Sequence, residues 1–220
     1  MCDARESEPI RPVSAAHIDA VRQYVASQVW ALIELQLLTG ARAGELVKLR
    51  AVDIDTTGKV WAVDFDDHKM AYRGLERVIF IGPQGQAVVR QFMVDRPVDA
   101  YLFSPAEADT ARRAVRSAAR KIPITYGNRP GTNRRRRPAW KPGDHYTVNT
   151  YRQAIQRGCD CAGVDRWSPH RLRHNAATTV RCQFGLEAAQ LLLGHARADV
   201  TQLYAETNRT KAVELAARIG

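Results

Sequence analysis

Apolar residues recur at helical spacing along most of the chain. The first such stretch opens at Ser14, a residue suited to cap a helix that carries Ile18, Val21 and Val25 on one face. Val29, Trp30, Leu32, Ile33 and Leu35 predict a second, more buried helix, ended by Gly40. From Arg42 to Leu49 a short amphipathic helix is expected with Leu46 and Leu49 inward, so that Arg42 and Glu45, three residues apart, share another face. The period then changes to two. Trp61, Val63 and Phe65 alternate with Ala62 and Asp64, and Arg77 to Ile81 is β-branched and aromatic, so the two runs predict a hairpin. The connection between them, with Asp66, Asp67, His68, Lys69 and Gly74, is longer than a tight turn and able to carry a side chain away from the sheet.

Helical patterning returns from Gln84 to Val94 and from Pro105 to Lys121, and gives way to a polar stretch rich in Pro, Gly, Asn and Arg over about 123–146. Thr147 is placed to cap a helix reaching Ala162. Ser168-Pro169 pairs a capping residue with a first-turn proline, which predicts a helix from His170 to Phe184 closed by Gly185. Leu186 to Leu193 forms the next, stopped by Gly194, and Asp199 is placed to cap a short helix bearing Tyr204. A final amphipathic helix is expected from Lys211 to Ile219, with Thr207-Asn208-Arg209 as a hinge before it. The pattern as a whole predicts one domain, mainly α with a small antiparallel β-sheet, an α+β chain without internal repeats.

Composition narrows the partners. With 45% hydrophobic and 25% charged residues, a 220-residue chain can bury a core of its own. No run approaches the roughly 18 apolar residues of a membrane span, and the acidic opening Met1 to Glu8 lacks the order of a signal peptide, so a cytoplasmic location is expected. The net charge of +10 favours a polyanion. Nucleic acid fits better than anionic lipid, because no basic helix presents a broad Trp/Phe/Leu face. The run Arg134-Arg135-Arg136-Arg137 reads equally as solvated charge or as an arm contacting DNA phosphates. Cys159 and Cys161 have one residue between them where paired zinc ligands usually have about two to four, which favours reduced thiols.

The densest chemistry lies after Pro169, where His170, Arg173 and His174 are spaced by three and four along one stripe, with Leu172, Ala176 and Val180 left to face the core. A guanidinium offers a rigid fork of donors to a phosphate, and an imidazole exchanges protons near neutral pH. His170 and His174 also have the spacing of a helical zinc pair, but no Glu stands between them and the neighbouring arginines repel a dication, so neither metal nor any other cofactor is expected.

Four elements occur together: Thr39-Gly40-Ala41-Arg42-Ala43-Gly44-Glu45-Leu46, His170-Arg171-Leu172-Arg173-His174, Leu193-Gly194-His195, and Tyr204 nine residues later. In order and spacing they resemble the tyrosine recombinase or phage integrase family, over about Pro12 to Ala212. The resemblance implies the family's catalytic-domain fold and site-specific DNA recombination, including DNA integration, through a 3′-phosphotyrosyl intermediate. It further implies that Arg42 and Arg173 bind the phosphate, that His170 and His195 are the active-site histidines, that Lys69 is the catalytic lysine and that Tyr204 is the nucleophile. Glu45 matches the supporting acidic position. Arg171 departs from the pattern, since an acidic residue commonly follows the first histidine, and it is expected to face outward.

The resemblance divides the chain into an extension over 1–12 and a catalytic domain over 13–220. The family's separate DNA-clamping domain has no counterpart in those first dozen residues, so a recombinase-derived DNA-binding protein without productive recombination is the competing expectation. Double-stranded DNA is the partner implied, with a homo-tetramer on paired sites. The C-terminal tail then either packs on a neighbouring subunit, as in the family, or folds back on its own domain.

Overall fold

The structure, a computed structural model, describes residues 11–64, 78–121, 142–193 and 205–219. Helix α1 (Ala15–Val21) begins where Ser14 Oγ accepts the backbone N–H of His17 at 3.3 Å, and a 3-10 turn leads into α2 (Ser27–Thr39). Leu32, Ile33 and Leu35 of α2 are fully buried. Each such side chain stabilises by about 1.5–3 kcal/mol, which makes α2 the axis of the main core, surrounded by Val21, Leu46, Phe103, Ile155 and Leu172.

The amphipathic segment after Gly40 is shorter than its periodicity predicts. Only Ala43–Leu46 is helical (α3), and Arg42 sits at its N-cap rather than within it. Leu46 and Leu49 still point inward. The expected hairpin is present as β2 (Trp61–Asp64) and β3 (Val78–Ile81), with Trp61 and Val63 buried as the alternation requires. A third strand, β1 (Ile54–Asp55), pairs antiparallel with β2 and sets Ile54 opposite Val63. Two residues are too short a run to show periodicity. Phe65 and the connection bearing Lys69 lie outside the described residues.

Helices α4 (Pro83–Met93) and α5 (Pro105–Ala118) follow the expected stretches, and α6 (Val148–Ala162) starts where Thr147 Oγ1 accepts the N–H of Thr150 at 3.1 Å. Gly163 ends α6 at φ +68°. Helix α7 (Pro169–Phe184) begins at the predicted place, although the Ser168 side chain makes no capping bond; Pro169 itself supplies a preset φ and lacks the N–H that would need a partner. Helix α8 (Leu186–Leu193) is next.

Helix α9 (Ala205–Ile219) runs through Thr207-Asn208-Arg209, so the expected hinge is not a break in the chain. The segment holds neither glycine nor proline, and polar side chains alone do not interrupt a helix. Leu215 and Ile219 pack on Val180 of α7 and on Ala188, Ala189 and Leu192 of α8, with Ala212 and Ala216 also buried. The tail therefore folds back on its own chain. No helix among the described residues is long and apolar enough to cross a membrane.

Candidate active site

The site is organised by the turn that ends α2. Gly40 takes φ +62°, and Thr39 Oγ1 accepts the N–H of Ala41 at 3.2 Å while donating to the Leu35 carbonyl at 2.6 Å. Gln36, fully buried in α2, donates to the Ala41 carbonyl at 3.2 Å and accepts from Tyr151 Oη of α6 at 3.3 Å. Burial holds the Tyr151 phenol well above its ordinary pKa, so it remains a donor. These bonds deliver Arg42 to the surface at a fixed place.

Helix α8 also approaches Gly40 closely, since a Cβ there would lie 2.7 Å from Leu193 Cδ2. Gly40→Ala thus combines a left-handed backbone, which costs a non-glycine residue about 1–2 kcal/mol, with overpacking at about 1–3 kcal/mol. The urea unfolding midpoint of this variant is expected to fall accordingly; an unchanged midpoint would mean that α8 does not press on the turn.

Glu45, buried, reaches back to the Arg42 backbone N–H at 2.7 Å with one oxygen and to its Nη1 at 3.0 Å with the other. The two residues predicted to share a face are in contact, and the Arg42 side chain remains 47% exposed. Arg173 differs. It is buried, with Nη1 donating to the Gly40 carbonyl at 2.6 Å and Nη2 to the Leu193 carbonyl at 2.7 Å. Of the stripe formed by His170, Arg173 and His174, Arg173 turns inward to join the ends of α2 and α8 while still lining the cavity that His170 lines.

His170 stays exposed, and its Nε2 lies 3.2 Å from Nε2 of His174, with the rings edge to face. One ring must donate and the other accept, so the pair shares a proton between these atoms. Partial burial, then the charges of His170 and Arg173, hold the His174 pKa below its ordinary 6.5. The unfolded chain therefore takes up this proton more readily. His174's contribution to stability is complete above the unfolded value and is lost as pH falls from there through the folded value. Stability measured from about pH 7 to about pH 5 should decline less steeply in His174→Gln than in the unaltered chain, and equal slopes would reject the assignment.

Arg42, Arg173 and His170 line one open cavity of about 380 Å³ together with Gln36, Ser168 and, from α6, Val148 and Arg152. Lys69, His195, Tyr204 and Arg134, Arg135, Arg136 and Arg137 lie outside the described residues. Sequence reasoning missed Gln36, Tyr151 and Arg152. A glutamine within an apolar helical run was the available signal for the first; the others carry none beyond their places on α6. Arg171, expected to face outward, makes exposed hydrogen bonds, donating from Nε to the Arg11 carbonyl at 2.8 Å and from Nη2 to that of Pro12 at 3.1 Å. Asn175 exchanges two bonds with the backbone of Val13, at 2.8 and 2.6 Å, so the segment before α1 is laced to α7.

Comparison with known proteins matches residues 13–211 to the model of the phage integrase family. Tyrosine recombinase XerD of Mycobacterium leprae is 30% identical over 177 residues, covering 79% of this chain and 46% of that protein. The XerD of Mycobacterium tuberculosis strain H37Rv is 32% identical over 175 residues, with the same shares. The chain thus spans about half the length of these curated relatives. Among solved structures, the integrase from mycobacterium phage Brujita has a similar fold at TM-score 0.60 and 15% identity, over 98% of this chain and 60% of that one. XerA recombinase superposes at TM-score 0.55 and 17% identity, over 96% and 61%. These structural likenesses bear out the mainly helical fold with its small sheet.

Proposed function

The chain belongs to the phage integrase family, and from that premise we propose that it breaks and rejoins DNA at specific sites, with Tyr204 as the nucleophile. The observation that carries this reading is the convergence of Arg42, Arg173 and His170, from two distant parts of the chain, on one cavity with no carboxylate among its described lining residues. Such a cavity suits a phosphodiester. The relatives' name, tyrosine recombinase, supports the same reading.

In the proposed reaction Tyr204 Oη attacks the scissile phosphorus, the bond from phosphorus to the 5′ oxygen breaks, and a 3′-phosphotyrosyl linkage forms. The covalent link preserves the bond for resealing, so the chemistry calls for no energy-supplying cofactor. His170 takes the phenol proton and Lys69 supplies one to the departing 5′ oxygen. Arg42 and Arg173, with His195, stabilise the charge gathering on the non-bridging oxygens. Residues 13–220 form the catalytic domain, 1–12 an extension, and the cytoplasm is the place of action.

Duplex DNA is the proposed partner, with four protomers on two paired sites. Since α9 already covers the surface of α7 and α8, a neighbour's tail would have to displace it for a cyclic assembly to close. Arg134 to Arg137 are proposed as an arm on the DNA backbone. Replacing all four by Ser should flatten the salt dependence of binding by up to about 0.9 log unit for each phosphate no longer neutralised. An unchanged slope would leave the run as solvated charge.

The cleavage reading is tested by incubating the chain with nicked duplexes carrying candidate sites and resolving the products on denaturing gels. A protease-sensitive covalent protein–DNA band is expected. Its absence on duplexes that do bind would leave a DNA-binding protein only.

A further inference from the structure

Arg152 stands on α6 beside Val148 and faces the same cavity as Arg42, Arg173 and His170. It is exposed, and among the described residues its guanidinium meets only Asn149 Oδ1, at 3.4 Å. A hydrogen bond that long contributes little. The charges around the cavity indicate what this side chain is for. Three arginines and a histidine line it, and no carboxylate does among its described lining residues. Glu45, which is not among the described lining residues, pairs with Arg42 at 3.0 Å and leaves that guanidinium half exposed. The phosphodiester being cut carries a single negative charge, which Arg42 and Arg173 are already placed to grip. Like charges held around a small cavity repel one another, and a further anion beside Arg152 relieves that repulsion.

We propose that Arg152 is a DNA-binding residue that holds a second phosphate of the backbone, next to the one gripped by Arg42 and Arg173. This rests on the reading that the cavity takes a phosphodiester, and it adds the register: with two neighbouring phosphates held, the strand is fixed in direction as well as position. Arginine suits the task because its planar fork matches two phosphate oxygens at once. The capped start of α6, built by Thr147 and Thr150, and the bond from Tyr151 to Gln36 hold Arg152 at a set distance from Arg42.

The test is fluorescence anisotropy of the full chain binding a short labelled duplex of arbitrary sequence across a range of salt. Each phosphate no longer neutralised should lower the slope of log affinity against log salt by about 0.9. Arg152→Ala should show that decrease, and should show it equally in an Arg42→Ala background, because the two arginines serve different phosphates. Arg152→Lys should keep the slope, since charge sets it, and Arg152→Gln should lower it like Ala. An Arg152→Ala change that leaves the slope unaltered in the Arg42→Ala background would mean that both arginines serve one phosphate and would overturn the proposal. So would an unchanged slope for Arg152→Ala and Arg152→Gln. Strand cleavage is not read in this experiment, so failure of the cleavage reading and failure of this proposal are distinguishable.

Discussion

Replacing Tyr204 by Phe is expected to abolish the covalent protein–DNA adduct while leaving DNA affinity within a small factor. Only one oxygen is removed, and it is the atom proposed to bond to phosphorus; the aromatic ring is kept. A phenol is a weak nucleophile at neutral pH, and local positive charge favours its ionised form. Tyr151, which reaches the cavity-lining Gln36, is no ready substitute: it is fully buried, bonded to Gln36 and held protonated by its surroundings. The measurement is the denaturing-gel assay on nicked duplexes with the Phe variant beside the unaltered chain. An adduct that persists in the variant would remove Tyr204 from its proposed role.

Arg173→Ala is expected to lose cleavage and stability together, whereas Arg42→Ala loses cleavage almost alone. Taking away one cationic donor from a developing oxyanion typically costs about 2.7–4 kcal/mol, roughly 10²- to 10³-fold in rate, and both variants should fall at least to that level. Their structural consequences differ. Truncating Arg173 strands the carbonyls of Gly40 and Leu193, which it holds at 2.6 and 2.7 Å. A buried acceptor left without its partner costs about 1–3 kcal/mol, so the loss of folding stability should be on the order of 3 kcal/mol. Arg42 is 47% exposed, so solvent screens its ion pair with the buried Glu45 from one side, and losing the guanidinium should cost on the order of 1 kcal/mol. The backbone bond from Arg42 to Glu45 survives the truncation. Urea unfolding and single-turnover cleavage on both variants separate the two effects. Equal stability loss in both would show that Arg173 is not the link between the end of α2 and the end of α8.

What the chain's own sequence determined is local. The caps and stops at Ser14, Gly40, Thr147, Gly163 and Gly185 mark helix ends because they act on backbone groups within a turn of themselves. The alternation at Trp61 and Val63 reported a half-buried strand for the same reason. The motif residues Arg42, His170 and Arg173 were legible as candidates because their residue types and spacing are properties of the chain alone. Local rules failed where structure depends on partners far away. The four residues of α3 and the two of β1 are decided by what packs around them, which periodicity over so short a window does not record.

Tertiary structure alone turned Arg173 inward, since its two carbonyl partners lie 133 and 20 residues away. It alone joined Gln36 to Tyr151 across 115 residues and thereby carried Arg152 to the cavity of Arg42. It also chose between the two fates open to the amphipathic tail. An apolar stripe is equally satisfied by a neighbour or by its own domain, and the apolar face offered by Val180, Ala188, Ala189 and Leu192 exists only once α7 and α8 have packed together.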